Sequence, residues 1–95
     1  HTRGHCAIRV DGRGGDAVIT GDLIHSPVQC QFPHWNSRHD FDKAQAAATR
    51  RGFLERYCEC ATQVLTAHFP LPSAGHLRCA GDAFRFEYWP AGEFI

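Results

Sequence analysis

The strongest constraint on how this chain can fold is an acid set directly after an apolar run, where Ala17-Val18-Ile19-Thr20 leads straight into Gly21-Asp22. The run reads as a buried strand, so the fold must carry a carboxylate to a strand end. Burying it there is costly unless something positive sits beside it. A metal ion is the commonest such partner when histidines lie elsewhere in the chain. His1-Thr2-Arg3-Gly4-His5 opens the sequence, and Ala67-His68-Phe69-Pro70 follows a second apolar run, Val64-Leu65-Thr66. Each motif can set a ligand at the end of a strand, and the three ends can converge.

The stretches between these motifs predict the scaffold. Cys6–Val10 and Ala17–Thr20, joined by the turn-rich Asp11–Asp16, read as a β-hairpin. From Leu23 to Asp40 the chain is rich in Pro, Gln, His and Asn, with Pro27 and Pro33 forbidding a long helix, so an extended loop is expected. Its Phe32, His34, Trp35, Asn36 and His39 suit a pocket wall or lid, or equally a plain surface loop, and His34 and His39 are not assigned to metal. Asp40 reads as the N-cap of a helix running from Lys43 through Cys60, about five turns at 3.6 residues each, with Asp42 at the positive end of its dipole. Ala44, Ala47, Leu54, Tyr57, Cys58 and Ala61 form its sheet-facing side, and Arg50-Arg51 reads as a solvated face. Gln63–Thr66 resumes β character, with His68 at its edge, before Pro70-Leu71-Pro72 turns the chain away. His76–Cys79 and Ala83–Tyr88 make a second hairpin. Strands, one long helix, then strands describe an α/β fold.

Ninety-five residues suit one small domain or part of a larger one. Ten acidic and ten basic side chains cancel, which argues against nucleic acid and gives no reason for anionic membrane attachment; no apolar stretch is long enough to span a bilayer. Five cysteines without a CxxC pair point to reduced thiols and a cytoplasmic location rather than a disulfide framework or zinc ribbon. Cys58-Glu59-Cys60, placed on a helix, cannot grip one ion, because residues two apart point to different sides. The chain has no methionine and opens inside a motif, so a longer protein shortened at its front is expected.

At these residues the chain resembles the C-terminal half of the metallo-β-lactamase fold hydrolases. His1-Thr2-Arg3-Gly4-His5 is similar to that family's H-T-x-G-H motif, Gly21-Asp22 to its bridging acid and Ala67-His68 to its last histidine ligand. The context Gly21-Asp22-Leu23-Ile24-His25-Ser26-Pro27-Val28-Gln29 further resembles the branch holding lactonase-like and organophosphate-hydrolase-like enzymes. The resemblance implies the second half of a four-layer αβ/βα sandwich, mainly antiparallel strands plus one long helix, spanning residues 1–95. It implies that His1 and His68 each bind a metal ion and that Asp22 bridges two, with Zn2+ or another divalent metal as cofactor. A metal-bound hydroxide would then attack an ester, lactone or phosphoester, and the partner is a small-molecule substrate. His5 is expected to support rather than ligate, and His25 and His76 to orient ligands or face the pocket, or to be hydrogen-bonded loop histidines.

The family's other half carries an H-x-H-x-D-H motif that these 95 residues lack. The fragment alone is therefore expected to be inactive, with the missing half of the domain as its partner. One sheet face should be left apolar and exposed, favouring association, as in a homo-oligomer, or poor solubility. The same scaffold also supports thioester hydrolysis, β-lactam opening and mononuclear iron oxidation. The alternatives of another class are a non-catalytic structural or interaction module, and an ordinary α/β domain in which Asp22 and His68 are simply satisfied polar residues.

Overall fold

A computed structural model describes residues 1–90. It runs through β1 (Ile8–Val10), β2 (Ala17–Ile19), a 3-10 turn (Gly21–Leu23), the one-turn helix α1 (Val28–Gln31), the long helix α2 (Lys43–Tyr57), β3 (Gln63–Leu65), β4 (Ala74–Ala80) and β5 (Ala83–Tyr88). The strands form one mixed sheet in the order β1-β2-β3-β4-β5. Only β2 and β3 run parallel, and the other three pairings are antiparallel. A parallel neighbour demands a long crossover. The 23–40 segment and α2 supply it, so the architecture is the α/β arrangement of mainly antiparallel strands and one long helix that the sequence implies.

Directly paired residues share a face of the sheet, which separates two surfaces. Val18, Val64, Leu77, Phe84 and Phe86 lie on the covered face, where they join Ile24, Cys30, Leu54, Tyr57 and Phe69 in the core. On the opposite face Ile8 is paired with Ile19, and Ile8, Val10 and Ile19 are 58%, 49% and 43% exposed. Across the same face, β4 and β5 carry His76, Arg78, Arg85 and Glu87, linked by ion pairs from Glu87 to both arginines. That face is thus apolar at one side and charged at the other. At Gly75, β4 and β5 approach so closely that a methyl would overlap the Glu87 carbonyl oxygen.

Several expectations are corrected by this geometry. Asp42, not Asp40, caps α2, accepting the Gln45 N–H at 3.0 Å. The helix ends at Tyr57, about four turns after it starts. Cys58 is already extended, Glu59 has a positive φ of 55° and its N–H donates to the Leu77 carbonyl, so the Cys58–Cys60 stretch leaves the helix to meet β4. The buried stripe is Ala46, Arg50, Leu54 and Tyr57, at i, i+4, i+8 and i+11, while Ala44 and Ala61 are exposed. Arg50 is therefore not on a solvated face; Arg51 is, paired with Glu55. The 23–40 segment holds one helical turn rather than being wholly extended, and β3 stops at Leu65, short of His68.

All five cysteines are free. Among the described residues no helix is long and apolar enough to cross a membrane.

Two outcomes check this packing. Leu54→Ala, emptying a fully buried site, should cost about 2–5 kcal/mol of unfolding free energy in urea titration. In brief alkylation of the native chain followed by mass spectrometry, Cys60, whose bond with Thr62 lowers its pKa, should label before Cys58. Burial pushes Cys58 up to about 11, and Cys30, pushed up to about 12, should react only on unfolding; native labelling of Cys30 ahead of Cys60 would contradict the core described here.

Candidate metal centre

The strand pairing brings three separate segments to one edge of the sheet. Because β2 and β3 are parallel, both C-terminal ends lie at that edge, and the Thr20 N–H extends the ladder to the Leu65 carbonyl at 3.0 Å. Asp22 follows β2, His68 follows β3, and the antiparallel β1 begins at the same edge just after His5. Each residue is then fixed locally. Gly21 turns with φ 57°, and a Cβ there would stand 2.7 Å from His5 Nε2. That close approach lets the Asp22 N–H donate to His5 Nε2 at 2.8 Å. His68 sits in the β3–β4 loop, closed by the Thr66 N–H to the Ser73 carbonyl at 2.8 Å and anchored by buried Phe69 against Phe86.

The Asp22 carboxylate lies between two imidazoles. Its Oδ1 is 2.6 Å from His68 Nε2 and its Oδ2 is 3.4 Å from His1 Nε2. His25 completes the group, its ring stacked on His68 at 5.1 Å and tilted against His1 at 5.3 Å. The His25 N–H donates to buried Gln29 Oε1 at 2.7 Å, which sets the start of the loop. The bond from His68 holds the Asp22 carboxyl below its ordinary pKa against the opposing effect of partial burial, with His25 and His5 adding to the lowering. Burial keeps the His25 pKa below the usual imidazole value, and His68 adds to that.

These residues fit a divalent ion. His1, Asp22 and His25 each present a ligand atom, all within 4.8 Å of one another, and two imidazoles with a carboxylate are the N/O donors that zinc takes. His25 Nδ1 is buried without a hydrogen-bond partner, a polar atom that calls for one.

Of the residues singled out in the sequence, His1, Asp22 and His68 come together, His5 supports Asp22 from behind, and His25 stands inside the cluster. His76 stands apart, on β4 opposite Glu87, where it lines a separate cleft with Gln63, Arg78 and Trp89. His34 packs edge-on against Phe32 and Trp35 in the loop, and His39 is exposed beside Arg38. Asp40 and Arg50 were not anticipated here. Asp40 Oδ1 lies 3.2 Å from His1 Nδ1, and its Oδ2 accepts from Arg50 Nη2 at 3.3 Å and from the Ser37 N–H at 3.0 Å. The stripe through Ala46, Arg50 and Leu54 was the signal that could have found Arg50.

No protein-family model and no curated protein matches the sequence. Solved structures do. The chain is similar to AidC, a dizinc quorum-quenching lactonase in complex with a product, N-hexnoyl-L-homoserine, with a TM-score of 0.80 and 24% identity over 86% of this chain and 28% of that one. It is similar also to the hydrolase AbOPH of the beta lactamase superfamily, with a TM-score of 0.84 and 25% identity over 94% of this chain and 32% of that one. Both are hydrolases, and this chain spans less than two thirds of the length of either. Its fold is part of the metallo-β-lactamase fold, the resemblance that its motifs carry.

In the metal-free chain, the lowered Asp22 pKa makes its ionised form stabilising. That contribution is complete above the ordinary carboxylate pKa and is lost as the pH falls through the depressed one. Following the Asp22 carboxyl carbon by NMR should show this midpoint moving up in His68→Ala; an unchanged midpoint would separate the two side chains.

Proposed function

We propose that this chain is the second half of a dinuclear metal-dependent hydrolase domain, contributing His1, Asp22 and His68 as ligands for two ions, with zinc the expected metal and an ester, lactone or phosphoester as substrate. One observation carries this reading: the two oxygens of a single carboxylate face two imidazoles that arrive from different ends of the chain, at 3.4 and 2.6 Å. A bridging ligand needs that division, since each oxygen can serve one ion beside one imidazole. The likeness in fold to a dizinc lactonase and to a second hydrolase supports it.

Ions held there would supply an acidified water and a polarised electrophile, which removes the need for a serine or cysteine nucleophile. The chain's own residues supply position. His5 and Gly21 set the Asp22 backbone, so the carboxylate is aimed before any ion arrives. Phe69 and the Thr66–Ser73 closure hold the loop that bears His68. His25, whose pKa burial holds below the usual imidazole value, stacks on His68 and tilts against His1, with a ligand atom beside those of His1 and Asp22. The remaining ligands belong to the H-x-H-x-D-H motif that the resemblance assigns to the other half, so the 95 residues alone are proposed to be inactive.

The test is elemental analysis and turnover of the protein extended to include that motif. It should hold two ions per chain and hydrolyse lactone, ester or phosphoester substrates. Asp22→Ala and His68→Ala should reduce turnover to background while His34→Ala leaves it unchanged. Retained turnover in the Asp22 variant would overturn the assignment.

A further inference from the structure

We infer that Asp40 is the positioning residue for His1: it fixes the imidazole as the Nδ1–H tautomer, leaving Nε2 bare and aimed at Asp22, and Arg50 locks Asp40 in that role. The inference rests on the reading of His1 as a metal ligand. It begins from donors and acceptors. Arg50 and the Ser37 N–H can only donate, and both point at Asp40 Oδ2, at 3.3 and 3.0 Å. The other oxygen, Oδ1, faces His1 Nδ1 at 3.2 Å. Two carboxylates flank the ring, but only the Nδ1 contact with Asp40 has hydrogen-bond geometry, while Nε2 stands at ion-pair distance from Asp22, so the one proton of the neutral ring is assigned to Nδ1. Its second nitrogen then carries a lone pair, and that nitrogen is the one 3.4 Å from Asp22.

Two further features separate this from a carboxylate that merely balances Arg50. The Asp40 side chain is 1% exposed and the Arg50 side chain 0%, so neither can exchange its partners for water. His1 is also held twice by consecutive residues, since the Phe41 N–H donates to the His1 carbonyl at 2.7 Å while Asp40 takes the ring. The lead-in to α2 therefore clamps both the backbone and the imidazole of His1. The 23–40 segment, which folds around Arg50, thereby sets a ligand that lies far from it in sequence.

Asp40→Asn tests this sharply, because it keeps the shape but leaves one acceptor oxygen. Arg50 and Ser37 compete for that oxygen, so the amide NH2 is turned toward His1 Nδ1. The ring proton must then move to Nε2, the nitrogen that an ion needs; exchange of a carboxylate for an amide produces the same wrong tautomer in other carboxylate–histidine pairs. The experiment is long-range 1H–15N NMR of the zinc-free chain at pH 8, with competitive Zn2+ titration in parallel. The wild type should show His1 protonated at Nδ1. Asp40→Asn should show it protonated at Nε2, with zinc affinity about 10–100-fold weaker.

An Nε2-protonated His1 in the wild type, or an unmoved tautomer and unchanged affinity in a folded Asp40→Asn, would overturn the inference. Should the variant fail to fold, the wild-type tautomer still decides. A wild type with the Nδ1–H tautomer that nevertheless binds no zinc would count against His1 as a ligand while leaving its positioning by Asp40 intact, so the two readings fail separately.

Discussion

A single guanidinium buried in the middle of α2 is what the rest of this structure depends on. Arg50 donates to the carbonyls of Leu23, Pro33 and Trp35, to Asn36 Oδ1 and to Asp40 Oδ2, at 2.8–3.3 Å. Burying a charged side chain is costly, and that cost is offset here because every face of the fork meets an oxygen and one partner is a carboxylate. The 23–40 segment has only one helical turn of its own. Without a central donor its inward carbonyls would be orphaned. Gln29 plays the same part at smaller scale, taking the His25 and Ser26 N–H groups on Oε1 and donating to the Trp35 carbonyl. The long loop is thus a folded object built around polar groups, and its ends are Asp22 on one side and the His1 clamp on the other.

Topology supplies what the loop cannot. The candidate ligands are separated by 21 and 46 positions, yet one parallel pairing and one antiparallel pairing bring their strand ends to a common edge. No single element carries the site, so its geometry depends on sheet register. A one-residue slip of β3 against β2 would move Val64 out of the core and carry the His68 loop with it, and the burial of Val18 and Val64 side by side is the restraint against that. The side chains are not equally fixed. His1 is 15% exposed and held at three points, whereas His68 is half exposed and held through its neighbour Phe69.

This difference explains what the sequence could reveal. Period-two alternation and turn residues marked both hairpins, and the placement of Gly21-Asp22 and His68 after apolar runs marked the edge where they meet. Those signals are local, and local signals survive folding. Two of the misreadings were cases where a distant partner decided. Asp40 and Asp42 are equal N-cap candidates by type, and what settles between them is that His1 and Arg50 claim the first. Arg50-Arg51 looks like a solvated pair because charge is taken as a sign of exposure, while the i+4 stripe of Ala46, Arg50 and Leu54 says the opposite. His25 could be read as a pocket residue or as a loop histidine, and what fixes its path is the Gln29 side chain, a contact that no spacing rule encodes.

The second face of the sheet ties the fold to the proposed function. Ile8, Val10 and Ile19 present an apolar surface on the side away from α2, and such a patch in a layered α/β protein marks a place where another layer seats. Its position matters more than its area. β1 begins three residues after His5, and β2 ends three residues before Asp22, so the patch borders the edge on which the ligands stand. Under the proposed reading, whatever covers Ile8 and Ile19 is carried to within reach of that edge. Under the same reading, the layer that covers the apolar face would also supply the rest of the metal shell, so that one partner rather than two would serve both.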